Sequence, residues 1–314
     1  MRVNKIIKLN GALLSFLVFA FQLGCSSMNK SVFTKEEQKK YQVDRLDVQG
    51  HRGARTVLPE NSLPGFKYVL DLGVDTIELD MGVTKDNVVI VYHDQHINNV
   101  ICQKKDGTKV PSGIPIRSLT LKEIKEFDCG SRVNPRFPRQ TLIPGTEIPT
   151  LKEVFVLLKN SPNPHAKKIE LNIETKSNPD DPSLQPEPAE YVRLVLELVK
   201  EYGLLDRTIL QSFDHRTLAE AKLQAPEMRR AALFERRPRG DLVEATRQAH
   251  GNILSPNYRW LKKSDIDELR ENGIPVIPWT ANTPRSWRRL IEMGVDGIIT
   301  DDPGPLMRMI GRIE

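Results

Sequence analysis

Short apolar runs of strand length alternate with amphipathic helical stretches along most of this chain, and that alternation limits the folds open to it. The strand-like runs are RLDVQG (45–50), TIELDMG (76–82), VVIVYHD (88–94), KIELNIETK (168–176), TILQSF (208–213), RRAALF (229–234), NILSP (252–256), IPVIPWT (274–280) and GIITD (297–301). Helical patterns lie between most of them. SLPGFKYVLDLG (62–73) puts Phe66, Val69 and Leu70 on one face, and AEYVRLVLELVKEYGL (189–204) is strongly amphipathic. Strands alternating with helices predict βαβ units and a parallel sheet. Eight such units in roughly 250 residues predict an α/β fold, a (β/α)8 TIM barrel, over residues 46–314. The runs number one more than the barrel needs. TIELD and VVIVYHD are joined only by MGVTKDN (81–87), too short for a helical crossover. Either that connection returns without a helix, or one run is not a stave of the barrel.

Two stretches interrupt the pattern. Residues 95–150, after the third strand-like run, are rich in Pro and Gly and hold one helix candidate, TLKEIKEF (120–127). A small inserted segment at a strand's C-terminal end is where active-site covers are built. Residues 177–190 form a Pro-rich acidic loop.

The N-terminus reads as a targeting segment. MRVNKIIK (1–8) is a basic n-region and GALLSFLVFAF (11–21) an apolar h-region too short to span a membrane comfortably. Residues 1–24 are therefore read as a signal peptide. Gly24–Cys25 followed by Ser26 and Ser27 resembles a bacterial lipoprotein signal, with Cys25 lipidated and residues 25–45 a polar, Lys-rich tether. Gln22 stands where such signals prefer Leu, and an ordinary cleaved signal is the alternative. Either way the chain is expected to be exported, and with the anchor it faces the periplasm or exterior at the membrane of the cell envelope. Export permits Cys102 and Cys129 to pair, two buried free thiols being the other reading. The net charge of +5 owes three units to Arg2, Lys5 and Lys8, so the rest of the chain is nearly neutral. That balance gives no reason for a nucleic-acid partner.

Polar residues gather at the C-terminal ends of the strand-like runs, which meet at one rim in a barrel. His51 and Arg52 follow the first run, Glu78 and Asp80 end the second, and His93 and Asp94 end the third. Glu174 and Lys176 lie in the fourth, Gln211 and Ser212 in the fifth, Trp279 and Asn282 near the eighth, and Asp301 in the ninth. Strand alternation turns Glu78, Asp80 and Glu174 inward, where three carboxylates repel at short range. A divalent cation relieves that repulsion, and oxygen-only ligands favour Mg2+ or Ca2+ over zinc. Salt bridges to Arg52 and Lys176 are the competing explanation. His51 and His93 suit proton transfer near neutral pH. A cation with Arg52 and Lys176 suits phosphate, so the residues point to metal-assisted hydrolysis of a phosphate ester.

The motifs resemble those of the glycerophosphodiester phosphodiesterase family, in its bacterial exported branch. They are GHRG (50–53), PENSLPGF (59–66), IELDMGVTKDNVVIVYHD (77–94), IPTLKEVF (148–155), LNIETK (171–176), QSFD (211–214), PWTAN (278–282) and GVDGIITDDP (294–303). They run in family order over residues 46–303. The resemblance implies hydrolysis of a glycerophosphodiester to sn-glycerol 3-phosphate and an alcohol. It implies His51 and His93 as the acid–base pair and Glu78, Asp80 and Glu174 as cation ligands. It further implies Arg52 and Lys176 at the phosphate, Trp279 on the glycerol side, and Glu60 near the mouth. Water or the substrate's own 2-hydroxyl would be the nucleophile. Ser62 stands where Thr is common, which touches nothing catalytic. A lysophospholipase D activity on the same barrel is the enzymatic alternative. A dead binding module would lack some of these residues, and none is missing.

Overall fold

The structure, a computed structural model, describes residues 32–314. The signal peptide and Cys25 lie outside the described residues. Helix α1 (Lys35–Lys40) begins with a capping box in which Thr34 and Glu37 satisfy each other's backbone N–H groups. Residues 32–45 were expected to be a polar tether, but they pack on the domain. Phe33 and Val43 are buried, Val32 N–H donates to the Met309 carbonyl (3.0 Å), and Arg288 pairs with Glu37 (3.0 Å). Two apolar side chains set among polar neighbours are enough to dock the segment.

The barrel begins with β1 (Asp47–Gly50), α2 (Leu63–Leu72) and β2 (Thr76–Val83). Ser62 caps α2 by accepting from Gly65 N–H (3.2 Å). Strand β3 (Val89–Val91) resolves the excess of strand-like runs. It pairs antiparallel with β2, Met81 opposite Val91 and Val83 opposite Val89, and is not a stave. Strand β2 therefore overshoots the rim, turns through residues 84–88, and β3 carries the chain back down toward the mouth.

The insertion follows. It holds β4 (Gln103–Lys104) and β5 (Phe127–Asp128), an antiparallel pair, with the short helix α3 (Leu121–Ile124) between them. A small apolar core that includes Ile116, Ile124 and Phe127 holds it, and a Cys102–Cys129 disulfide staples it.

Six helices and five strands complete the domain: α4 (Leu151–Asn160), β6 (Glu170–Thr175), α5 (Pro188–Glu201), β7 (Thr208–Ser212), α6 (His215–Gln224), β8 (Arg229–Phe234), α7 (Leu242–Gln248), β9 (Ile253–Pro256), α8 (Lys263–Glu271), α9 (Pro284–Met293) and β10 (Gly297–Thr300). A last helix, α10 (Pro303–Met309), follows. The parallel staves run β10-β1-β2-β6-β7-β8-β9. Residues 274–280 close the ring as the eighth stave. Ile277 N–H donates to the Leu254 carbonyl (2.9 Å), and Ile299 N–H to the Pro278 carbonyl (3.0 Å). Pro275 and Pro278 have no N–H, so this stave makes a broken ladder rather than a regular strand.

The main core fills the layer between staves and helices, and Ile77 and Leu79 lie in it, as alternation requires. Inside the barrel the two halves differ. Ile209, Ala231, Ile253, Ile277 and Ile299 form an apolar half. The other half is a column of hydrogen bonds. Gln49 Nε2 donates to Asp47 Oδ2 (2.6 Å), and Asn172 Nδ2 donates to Gln49 Oε1 (2.8 Å) and Gln211 Oε1 (3.2 Å). Gln211 Nε2 then donates to Glu78 Oε1 (2.7 Å). A carboxylate at each end orients the amides, and Asn172 supplies both protons that the centre needs.

Burial raises the Asp47 carboxyl to about 7, with the charge of Asp75 adding to the effect. The folded state holds this proton more tightly than the unfolded chain, so stability falls as pH rises from about 4 to about 7. Asp47→Asn is expected to flatten that part of the stability–pH curve, measured by urea unfolding; an unchanged slope would contradict the assignment. The disulfide spans 27 residues, and replacing both cysteines by Ala is expected to cost the insertion about 3 kcal/mol of local stability. Hydrogen exchange across residues 95–150 reads this directly.

Candidate active site

The first corner of the site is the turn after β1. His51 N–H donates to the Thr300 carbonyl (2.9 Å), which sends the imidazole over the barrel mouth. Arg52 has a positive φ of 51°, and its N–H then points at Glu78 Oε2 (2.8 Å). The turn is tight enough that a Cβ on Gly50 would lie 2.4 Å from the Gly53 carbonyl oxygen, which explains the glycine.

Glu78, Asp80 and Glu174 come together as expected. Each offers an oxygen within 4.8 Å of the others, and all three residues are buried. Positive groups also meet them. Arg52 Nε lies 3.3 Å from Asp80, and Lys176 Nζ lies 2.7 Å from Glu174 and 3.8 Å from Asp80. These salt bridges do not use up the acids' bonding capacity. Asp80 Oδ1 is buried with no hydrogen-bond partner. Burial and repulsion from Asp80 push the Glu78 carboxyl well above the ordinary range, and burial raises Glu174 as well. Asp80 goes the other way. Burial opposes its ionisation, but His93, Arg52 and Lys176 together hold it below the usual carboxylate range. An orphaned buried oxygen beside two proton-hungry carboxylates fits a hard divalent cation.

The two histidines are held alike. His51 Nδ1 donates to Asp301 Oδ1 (2.5 Å), leaving Nε2 facing the site, 3.9 Å from Glu78. Burial and the charge of Arg55 lower the His51 imidazole to about 4, against the pull of Asp301. His93 arrives through the returning β3 arm, because Tyr92 N–H donates to the Asp80 carbonyl (2.9 Å). Its Nδ1 donates to Asp94 Oδ1 (2.6 Å), and its Nε2 accepts from Lys176 Nζ (3.1 Å). Asn98 Nδ2 in turn holds Asp94 (2.9 Å). Each carboxylate thus fixes one tautomer, with the proton on Nδ1 and the lone pair on Nε2.

A cavity of about 150 Å³ joins these groups. His51, His93, Arg52 and Lys176 line one side. Trp279 and Phe213 line another, their rings edge to face with centroids 5.4 Å apart. Trp279 Nε1 donates to the Ser255 carbonyl (2.9 Å), which fixes the indole plane. Glu60 lies at the mouth, accepting from Arg52 Nη1 (2.8 Å). Two working residues, Asn61 and Arg55, are not singled out by motif reading, and Asn282 is singled out only as a polar residue at a strand end. Asn61, with φ of 51°, clamps Asp80 by donating Nδ2 to its carboxylate (2.8 Å) and accepting its backbone N–H (3.2 Å). Asn282 Nδ2 donates to Asp301 Oδ2 (2.6 Å), and Arg55 Nε donates to Asp301 Oδ1 (2.5 Å). The signal for Asn61 was its place beside Glu60, in a loop rich in turn residues.

Known proteins resemble this chain in sequence and in fold. The profile of the glycerophosphoryl diester phosphodiesterase family matches residues 51–305. A glycerophosphodiester phosphodiesterase of Caldanaerobacter subterraneus subsp. tengcongensis is 34% identical over 266 residues, 84% of this chain and 97% of the relative. A solved Silicibacter pomeroyi structure of the same description is 32% identical with a TM-score of 0.78, covering 84% of this chain and 93% of that one. An Oleispira antarctica phosphodiesterase, solved with the product sn-glycerol-3-phosphate, shares the fold at 21% identity and a TM-score of 0.69, covering 86% and 98%. With a family match across residues 51–305 and a relative 34% identical over most of both chains, the chain belongs to the glycerophosphoryl diester phosphodiesterase family.

Proposed function

We propose that this enzyme hydrolyses glycerophosphodiesters to sn-glycerol 3-phosphate and an alcohol, with His51 and His93 moving the protons. The observation that carries this reading is the shared cavity. Two histidines, each locked by a carboxylate on Nδ1, present Nε2 beside a three-carboxylate cluster with Arg52 and Lys176. Glu78, Asp80 and Glu174 would hold Mg2+ or Ca2+, which neutralises charge on a phosphate oxygen when bound.

The chain's own groups supply the rest. The Arg52 guanidinium and Lys176 ammonium orient the phosphate, and Trp279 with Phe213 covers the glycerol end and excludes water. The nucleophile's oxygen bonds to phosphorus as its proton passes to one histidine. The P–O bond to the alcohol breaks as the other histidine protonates the leaving oxygen. His51, kept neutral by burial and Arg55, suits the accepting role at neutral pH. His93 gives a proton only when its Nε2 carries one in place of the hydrogen bond from Lys176 Nζ. Its side chain, 29% exposed at the mouth, can take that proton from solvent and pass it to the departing alcohol. The nucleophile that displaces the alcohol is either water or the substrate's own 2-hydroxyl, whose cyclic phosphate water then opens. The signal-like residues 1–24 and Cys25 support an exported, lipid-anchored enzyme, and the Cys102–Cys129 disulfide suits an oxidising compartment.

His51→Ala and His93→Ala are each expected to lower kcat by about 10²- to 10⁴-fold with the melting temperature unchanged. Near-normal turnover in either would refute the paired roles. Thorough chelation is expected to abolish release of glycerol 3-phosphate from glycerophosphocholine, with Mg2+ or Ca2+ restoring it. Asp80→Asn is expected to remove cation binding measured by calorimetry. Faster turnover of a lysophospholipid than of glycerophosphocholine would reassign the substrate.

A further inference from the structure

The Asp301 carboxylate that orients His51 has a competitor for its own partner. Arg55 Nε and His51 Nδ1 meet the same oxygen, Asp301 Oδ1, each at 2.5 Å. Arg55 Nη2 reaches Oδ2 at 3.3 Å. On the other side, Arg55 Nη1 lies 3.9 Å from Glu60 Oε2. One guanidinium therefore stands between two carboxylates, and the choice between them sets where Asp301 Oδ1, and hence the His51 ring, comes to rest.

The insertion makes that choice. The Phe137 ring lies under the Arg55 guanidinium, 4.8 Å from its carbon to the ring centroid. A stacked aromatic face fixes the plane of the guanidinium and shields it from water. The same strap is riveted to the backbone beneath. Gln140 Nε2 donates to the Arg55 carbonyl (2.7 Å) and the Leu58 carbonyl (2.8 Å), and Thr141 N–H donates to the Val57 carbonyl (2.8 Å). These carbonyls belong to an irregular loop and need donors from elsewhere. Here the insertion provides them.

We infer that residues 137–141 are a positioning strap for catalysis: Phe137 and Gln140 act through Arg55 and Asp301 to hold the His51 imidazole in its working orientation. This rests on the proposed acid–base role of His51. It gives the insertion a task beyond covering the mouth. Phe137 and Gln140 are not catalytic residues, since neither lines the cavity.

Phe137 is half-buried on a surface loop, so its truncation leaves the core intact. With glycerophosphocholine and saturating cation, Phe137→Ala is expected to lower kcat about 3- to 30-fold, the range of one lost cation–π contact, with KM within about twofold. Phe137→Tyr keeps the ring and is expected to retain kcat. Gln140→Leu is expected to lower kcat as well, and the double variant to lose less than the product of the two single losses. The His51 Nδ1 proton resonance is expected to shift in Phe137→Ala. Wild-type kcat in Phe137→Ala, or a loss confined to KM, overturns the strap. His51→Ala separates the two failures. An inactive His51→Ala beside a fully active Phe137→Ala rejects the strap alone, whereas an active His51→Ala rejects the acid–base reading beneath it.

Discussion

Everything at the rim depends on keeping Glu78, Asp80 and Glu174 together in a space from which water is largely excluded. Bare burial of three carboxylates is prohibitive, and the chain compensates with donors drawn from separate elements. Arg52 contributes its backbone N–H and its guanidinium, Asn61 its amide, Gln211 its amide, and Lys176 its ammonium. The compensation stops short at Asp80 Oδ1. A site built for stability alone would have closed that gap, and leaving it open suits the cluster to the cation proposed for it.

The same demand explains the two-faced barrel interior. An apolar filling under Glu78 would offer no donor to its lower oxygen. The column from Asp47 through Gln49, Asn172 and Gln211 carries an N–H up to it, and the direction of every amide follows from the carboxylates at the ends. The opposite half has no carboxylate to serve and is packed with Ile and Ala. The polar half costs hydrophobic burial, which the large layer between staves and helices supplies instead.

Much of this was legible in the chain. Strand alternation places Glu78 and Asp80 on one face, and repeated strand ends place Glu174 and both histidines at the same rim. The short MGVTKDN connection excluded a helical crossover, but the residues alone did not choose between a connection that returns without a helix and a run that is not a stave. That choice depends on β2 overshooting the barrel, a tertiary fact. Docking of residues 32–45 was hidden because Phe33 and Val43 sit among polar neighbours without a period. Asp301 was visible as a strand-end acid, yet its bond to His51 joins residues 250 positions apart. Arg55 and Phe137 carried no signal, because nothing local ties an irregular insertion to the loop it covers.

The two histidines reach the same tautomer by different routes, and the difference bears on their roles. Asp94 is the immediate neighbour of His93, and Asn98 lies four residues further on, so the lock on His93 is local and travels with the β3 arm. The lock on His51 is assembled from separate pieces: Asp301 after β10, Asn282 after the eighth stave, and Arg55 over the Phe137 ring of the insertion. A local lock tolerates motion of its arm, which suits the proton-donating role proposed for His93 at the mouth. A lock assembled from the barrel's closing staves is rigid only when the ring is fully closed and the insertion is seated. His51 is therefore the histidine whose geometry senses the integrity of the whole fold.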